Sequence, residues 1–261
     1  MFQKSRLHRP ARSCYLPRIC LATLLSLAAL PAVAGVVSIG QGSSVSTGSG
    51  QIDLNCGDAA ISGDLSGSLT GARDVSIGPG ADLAGSSVGL SGDWVNNGPR
   101  ELGTQIDWRD GCGVVESRML GSSDVAALTI DSQTGREVRF DTGGEQRVDS
   151  SLSLTGSAGN RLRLRSTSPT QLASLALGFG ASQVINAVDV ARIYSSAGQG
   201  IAPGSPEDYN SLRSGLVRNW FELPAIPVPS LGSASILLLI LLTGLVGLFH
   251  RRFTRTGVSA R

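Results

Sequence analysis

Between residues 52 and 190 the apolar side chains come in pairs two positions apart, separated by glycine and short polar residues. Ile52/Leu54, Val75/Ile77, Val88/Leu90, Leu128/Ile130, Val138/Phe140, Leu152/Leu154, Leu162/Leu164 and Val188/Val190 all follow this spacing. A period of two puts both members on one face of a strand and turns the residue between them to the other. No stretch before residue 231 shows the periodicity of an amphipathic helix. The 34 glycines and the frequent Ser, Asp, Asn and Thr favour turns between these strands. The chain reads as all-β, built from short half-buried strands.

Two of these strand–turn–strand units repeat. "LTIDSQTGREVRFD" (128–141) lies over "LSLTGSAGNRLRLR" (152–165) at an offset of 24. Leu128 then matches Leu152, Ile130 matches Leu154, Gly135 matches Gly159, and Val138 and Phe140 match Leu162 and Leu164. Short strands recurring at a fixed period predict stacked coils, a β-solenoid. The alternative is a β-sandwich of hairpins.

Both ends of the chain carry addresses. Lys4, Arg6, Arg9, Arg12 and Arg18 precede an apolar stretch of 12 residues, Ile19 to Leu30, and the small-residue triplet Ala32-Val33-Ala34. This is the layout of a secretory signal peptide, residues 1–34, with cleavage expected between Ala34 and Gly35 by signal peptidase. The far end reads "VPSLGSASILLLILLTGLVGLFHRR" (228–252). Its apolar run predicts a single transmembrane helix, and Arg251 and Arg252 form the stop that keeps the basic tail, 253–261, in the cytoplasm. Between them the sequence divides into an exported solenoid-like domain, 35–200, and a Pro/Gly-rich end and spacer, 201–227.

Charge and cysteine usage agree with export. Nine of the 22 Lys and Arg lie in the leader and the tail, leaving 13 against 20 Asp and Glu, a net charge of −7 on the exported part. Nucleic acid, which needs clustered cations, is not an expected partner. Removal of the leader leaves two cysteines, Cys56 and Cys112, expected to form one disulfide.

The chemistry available to the exported part is narrow. The only histidines are His8 and His250 and the only lysine is Lys4. Histidine-based nucleophilic triads, lysine bases and histidine-ligated metals are therefore not expected there. No catalytic residue, metal site or cofactor is assigned. Asp107, Asp110, Glu116, Asp131, Asp141 and Asp149 remain as candidate carboxylates for a glycosidase or lyase. Their ordinary reading is as solvated turn residues. Arg161, Arg163 and Arg165 alternate with Leu162 and Leu164, which puts a row of cations on an outer face, expected to pair with neighbouring acids. Trp94, Trp108 and Trp220 are expected to cap the ends of the core.

The fragments "LNCGDAAISGDL", "LSGDWVNNG", "DGCG", "LTIDSQTGREVRF", "LSLTGSAGNRLRLRS", "VDVARIYSSAGQGIAPG" and "NWF" occur in this order. Together they resemble exported, adhesin-like β-rich surface proteins of Gram-negative bacteria that end in an IPTL-type sorting signal. Val228-Pro229-Ser230-Leu231 is similar to the Ile-Pro-Thr-Leu signature, although Gly232, Ser233 and Ala234 stand where an acidic residue and a tryptophan are usual. The resemblance implies a right-handed β-helix and an exosortase, a membrane-embedded transpeptidase-like enzyme, as the partner that reads the C-terminal signal. It implies a surface role and no particular ligand; the C-terminal segment is expected to anchor the chain transiently in the inner membrane before release to the outer surface or the medium, where a surface glycan or matrix component is a candidate partner. The expected function is structural or adhesive. The alternative is a secreted carbohydrate-active β-helix enzyme.

Overall fold

A computed structural model describes residues 35–222. Ala34, Val228, Pro229, Ser230, Leu231, Arg251 and Arg252, and with them the signal peptide, sorting motif and membrane stop, lie outside the described residues. Gly35 is the first residue inside them, and its carbonyl accepts a hydrogen bond from the Asp58 N–H at 3.1 Å.

The strands are β1 (Val36–Ile39), β2 (Ser44–Asp53), β3 (Asp58–Ile61), β4 (Asp64–Ala72), β5 (Val75–Ile77) and β6 (Ser87–Leu90). Then come β7 (Trp94–Asn96), β8 (Gln105–Arg109), β9 (Glu116–Leu120), β10 (Ser123–Asp131), β11 (Glu137–Phe140) and β12 (Glu145–Thr155). The last are β13 (Leu162–Ser166), β14 (Ala173–Leu177), β15 (Ser182–Asn186), β16 (Val188–Val190), β17 (Ile193–Tyr194), β18 (Leu212–Arg213) and β19 (Val217–Arg218). One 3-10 turn, Pro206–Tyr209, is the only helical segment among the described residues, and none of their helices is long and apolar enough to cross a membrane.

Every strand pairing is parallel. One sheet runs β1-β3-β5-β7-β9-β11-β13-β16-β18, and the other runs from β2 through β4, β6, β8, β10, β12, β14 and β17 to β19. The chain alternates between the two sheets and each coil stacks on the one before. This is a parallel β-solenoid of about eight turns. Hairpins would make antiparallel pairs, so the sandwich alternative does not describe this chain. Extra residues in β2, β4 and β12 relative to their partners bend the longer strands of the second sheet. The two halves of β12 consequently pair with different strands, β14 and β15.

The alternation in sequence becomes stacked rows inside the coil. Val75, Trp94, Met119 and Phe140 follow one another in register along the first sheet and are fully buried. Leu128 pairs with Leu152 and Ile130 with Leu154, as the 24-residue offset requires. The second half of the repeat differs. Val138 stands opposite Leu164 rather than Leu162, an offset of 26. The turn of the later coil holds two more residues, and a two-residue slip keeps the same faces buried. Trp94 and Trp108 also depart from expectation, since both sit in the middle of the core rather than at its ends. Trp220 does lie by the last coil, beside Phe221 with ring centroids 6.0 Å apart.

The solenoid extends beyond the boundary expected at residue 200. β18 and β19 add to both sheets, and Ile201, Val217 and Trp220 are buried. The polar, turn-rich composition of 201–218 hid two short strands whose pairing depends on the coil before them.

Buried polar groups at the corners are satisfied across coils. The Asn96 side-chain amide donates to the carbonyls of Pro99 and Ser122, at 2.9 and 2.6 Å. Trp94 Nε1 donates to Ser123 Oγ at 3.1 Å. Gly121 has φ +80°, and a Cβ there would run into the Asn96 carbonyl, so this corner admits only glycine. Outside, acids and arginines pair from coil to coil: Arg118 with Asp93 at 2.7 Å, Arg139 with Glu116 at 3.0 Å, and Arg165 with Asp189 at 2.6 Å.

Candidate functional site

The site begins with corner lengths. Successive coils of the first four pass from the second sheet to the first through segments 54–57, 73–74, 91–93 and 110–115. The two outer corners are long and the two between them are short. Cys56 sits in the first and Cys112 in the last, and they are disulfide-bonded with Cα atoms 5.5 Å apart. Three strand spacings separate β2 from β8 in the sheet, roughly 14 Å. The two long corners must therefore fold toward each other over the short ones. They do so with left-handed backbone at Asn55, Cys56, Cys112 and Gly113. The Cys56 N–H is fixed to the Gly71 carbonyl at 2.7 Å, which sets where the bridge lands.

The arch covers a cleft of about 540 Å³. Its floor is Thr70, Gly71, Ala72, Gly89, Leu90 and Ser91. One wall is Asp53, Asn55 and Cys56; the other is Asp107, Arg109, Asp110 and Cys112. Register places Asp53 beside Thr70 and Gly89 beside Asp107, on the outward positions of adjacent strands.

Each wall acid has a partner. Asp53 Oδ1 accepts the Asn55 N–H at 3.0 Å. Asp107 takes Arg109 Nε with both oxygens, at 3.0 and 2.9 Å, and this pairing raises the Arg109 pKa. Asp110 Oδ2 accepts the backbone N–H groups of Gln133 and Thr134 at 2.8 and 2.9 Å. Its other oxygen lies 3.3 Å from Arg136 Nε, an ion pair without a well-aligned hydrogen bond. Burial alone would raise the Asp110 carboxyl, but hydrogen bonds from Ser132, Thr134 and Gln133 outweigh it and hold it below its usual value. Arg136 has no exposed side-chain surface. Burial pushes its guanidinium below the ordinary value, against the pull of Asp110. Its terminal nitrogens donate to the Ser91 carbonyl, Ser117 Oγ and the Val114 carbonyl.

Of the six candidate carboxylates, only Asp107 and Asp110 reach this cleft. Glu116 pairs with Arg139, and Asp149 with Arg147 at 2.8 Å. Asp131 accepts from the Gln133 amide and Asp141 caps its own turn at the Gly143 N–H. In the arginine row, Arg163 lies 3.7 Å from Glu137, Arg165 pairs with Asp189, and Arg161 donates to the Asn210 carbonyl. Asp53 and Arg136 escaped the sequence reading. Arg136 shares parity with Val138 and Phe140, which was the available sign that it points inward. Asp53 has no sequence sign that separates it from other turn acids, since Asp208 likewise stands two residues before a left-handed asparagine. No family model matches the chain, and comparison with curated proteins and with solved structures gives no match.

Proposed function

We propose that this chain is an exported cell-surface structural or adhesive protein, sorted through residues 228–252 by an exosortase-type enzyme. The supporting observation is the Cys56–Cys112 bridge between distant coils, a device of oxidising compartments outside the cytoplasm. The leader ending at Ala34 and the Val228–Leu231 tetrapeptide with its apolar run and arginines agree with that compartment. In this reading the solenoid is right-handed, as parallel crossovers nearly always are. The C-terminal apolar run spans the inner membrane until the chain is cut, and the product moves to the outer surface or the medium. Pro229 keeps the segment ahead of the helix extended, the conformation in which a protease-like site binds its substrate.

Mass spectrometry of the surface-released protein tests this. The expected product begins at Gly35 and ends near the Val228–Leu231 motif, and Pro229→Ala retains the chain in the inner membrane. A released protein ending at Arg261, with localisation indifferent to Pro229, reduces the segment to a plain anchor.

The second reading, a carbohydrate-active enzyme, draws on the acids of the cleft. Asp53 and Asp107 lie about three strand spacings apart, roughly 14 Å, wider than the carboxyl separation of glycosidase pairs. Release of reducing ends from a polysaccharide, lost in Asp107→Asn, would nevertheless establish it.

A further inference from the structure

We propose that the cleft under the Cys56–Cys112 arch binds a neutral glycan segment through vicinal hydroxyls, seated on Gly89 between Asp53 and Asp107, an assignment that rests on the display reading for its encounter with external glycan.

Gly89 carries the most weight. It is in the interior of β6, on an outward position, and its backbone is not left-handed. A Cβ there would meet Thr70 Cα at 3.5 Å, Leu69 O at 3.6 Å and Thr70 Cγ2 at 3.7 Å, all ordinary contacts. The fold therefore accepts alanine at this position, and glycine costs a strand interior about 0.5–1 kcal/mol. Gly121 and its counterparts at the corners are different, because the backbone demands them. Glycine in a strand that the fold does not require marks a close approach from outside. The missing side chain opens the floor between Thr70 and Asp107 in a row where the next strands present Thr129 and Ser153.

Thr70 supplies an independent sign. Its hydroxyl oxygen is buried yet has no hydrogen-bond partner among the described residues, and the residue lines the cleft beside Gly89. Such an unmet group costs roughly 1–3 kcal/mol; the Thr70 methyl now faces Gly89, and a turn about χ1 would exchange it for the hydroxyl and bring that oxygen to a ligand.

The walls specify the class of ligand. Asp107 is paired with Arg109 and Asp110 with the buried Arg136 behind it, so the three carboxylates of the walls leave one negative charge in excess, at Asp53. A cleft with this excess of carboxylate repels uronic acids and phosphates and accepts hydrogen bonds from hydroxyls. Among the described residues no three His, Cys, Asp or Glu side chains converge as metal donors. The two half-buried cysteines add apolar surface for the C–H face of a sugar. The volume, 540 Å³, is within the usual size of small-ligand sites.

Calorimetry on the full chain in a non-glycosidic detergent tests the assignment, with mannopentaose, cellopentaose and laminaripentaose as neutral probes and oligogalacturonate as the acidic one. At least one neutral probe is expected to bind, with oligogalacturonate about tenfold weaker or absent. Gly89→Val should weaken neutral binding about tenfold or more while leaving Tm unchanged or raised, since a β-branched side chain suits a strand. Asp107→Asn should weaken it comparably. If Gly89→Val proves unfolded by circular dichroism, Gly89→Ala, which fits the backbone, decides in its place. Silence from all three neutral probes, preference for oligogalacturonate, or unchanged binding in the folded Gly89 variant overturns the assignment. A chain that is sorted and released but binds no probe rejects the cleft alone. A chain that binds but keeps Arg261 rejects the sorting alone.

Discussion

Arg136 is the residue on which the most local order depends. A guanidinium with no exposed surface is tolerated because Asp110, Ser117 and two carbonyls surround it. Removing Asp110 leaves that charge buried and uncompensated. Asp110→Asn should therefore lower stability by about 3 kcal/mol, the lower end for a broken buried pair because Asp110 is partly exposed. The pH dependence follows from the depressed Asp110 pKa. Its contribution is complete above the unfolded value, near 3.9, and is lost as pH falls through the lower folded value. Urea unfolding of both proteins between pH 6 and pH 2 should show their difference shrinking toward the acid end. A constant difference across that range would mean that the carboxylate charge is not what matters. Parity with Val138 was enough to place Arg136 inside, but sequence offers no sign of the acid that accompanies it, since Asp110 arrives from the preceding coil.

At the scale of elements, corner length decides more than strand sequence. The β2–β3 and β8–β9 corners are long enough to reach over the two between them, and the disulfide fixes that reach. Loop closure across 56 positions is worth about 4 kcal/mol in the chain-entropy model. Relaxation of the left-handed backbone at one of Asn55, Cys56 and Cys112 returns part of it, about 1–2 kcal/mol. Cys56→Ser/Cys112→Ser should lose a net 2–4 kcal/mol in urea unfolding, and a loss near zero would show the arch to be self-supporting. The cysteine pairing was legible because, with the expected leader set aside, only Cys56 and Cys112 are left and each has one possible partner. The cleft was not, because it exists only where two long corners flank two short ones, and turn lengths cannot be read until strand ends are known. The same uncertainty explains the repeat. Leu128 over Leu152 was readable from the strands, whereas the 26-residue offset of Val138 and Leu164 was set by two extra turn residues.

For the whole molecule, the period-two pattern established strands with one buried face, and the 24-residue recurrence favoured coils over hairpins. The sequence understated the length of the stack, because β18 and β19 are too short to have a pattern of their own and are strands only by pairing with β16 and β17. A stack in which each coil holds only its neighbours has little resistance to being drawn out from one end. Side chains such as Arg136 reach two coils back, but the bridge is the covalent exception and joins coils three apart. Tension applied at the C-terminal side, where a membrane tether would act, should peel coils singly from β19 toward β9 and halt at Cys112. About 110 residues, 113–222, would pay out roughly 370 Å of contour at some 3.4 Å each. Single-molecule pulling should register that limit under oxidising conditions, and about 190 Å more once the bridge is reduced, as the 56-position loop joins the line. Equal extensions in the two conditions would show that the bridge bears no load. The disulfide then acts as a rip-stop: coils beyond it can be spent absorbing a sudden pull, while the four that frame the cleft stay wound.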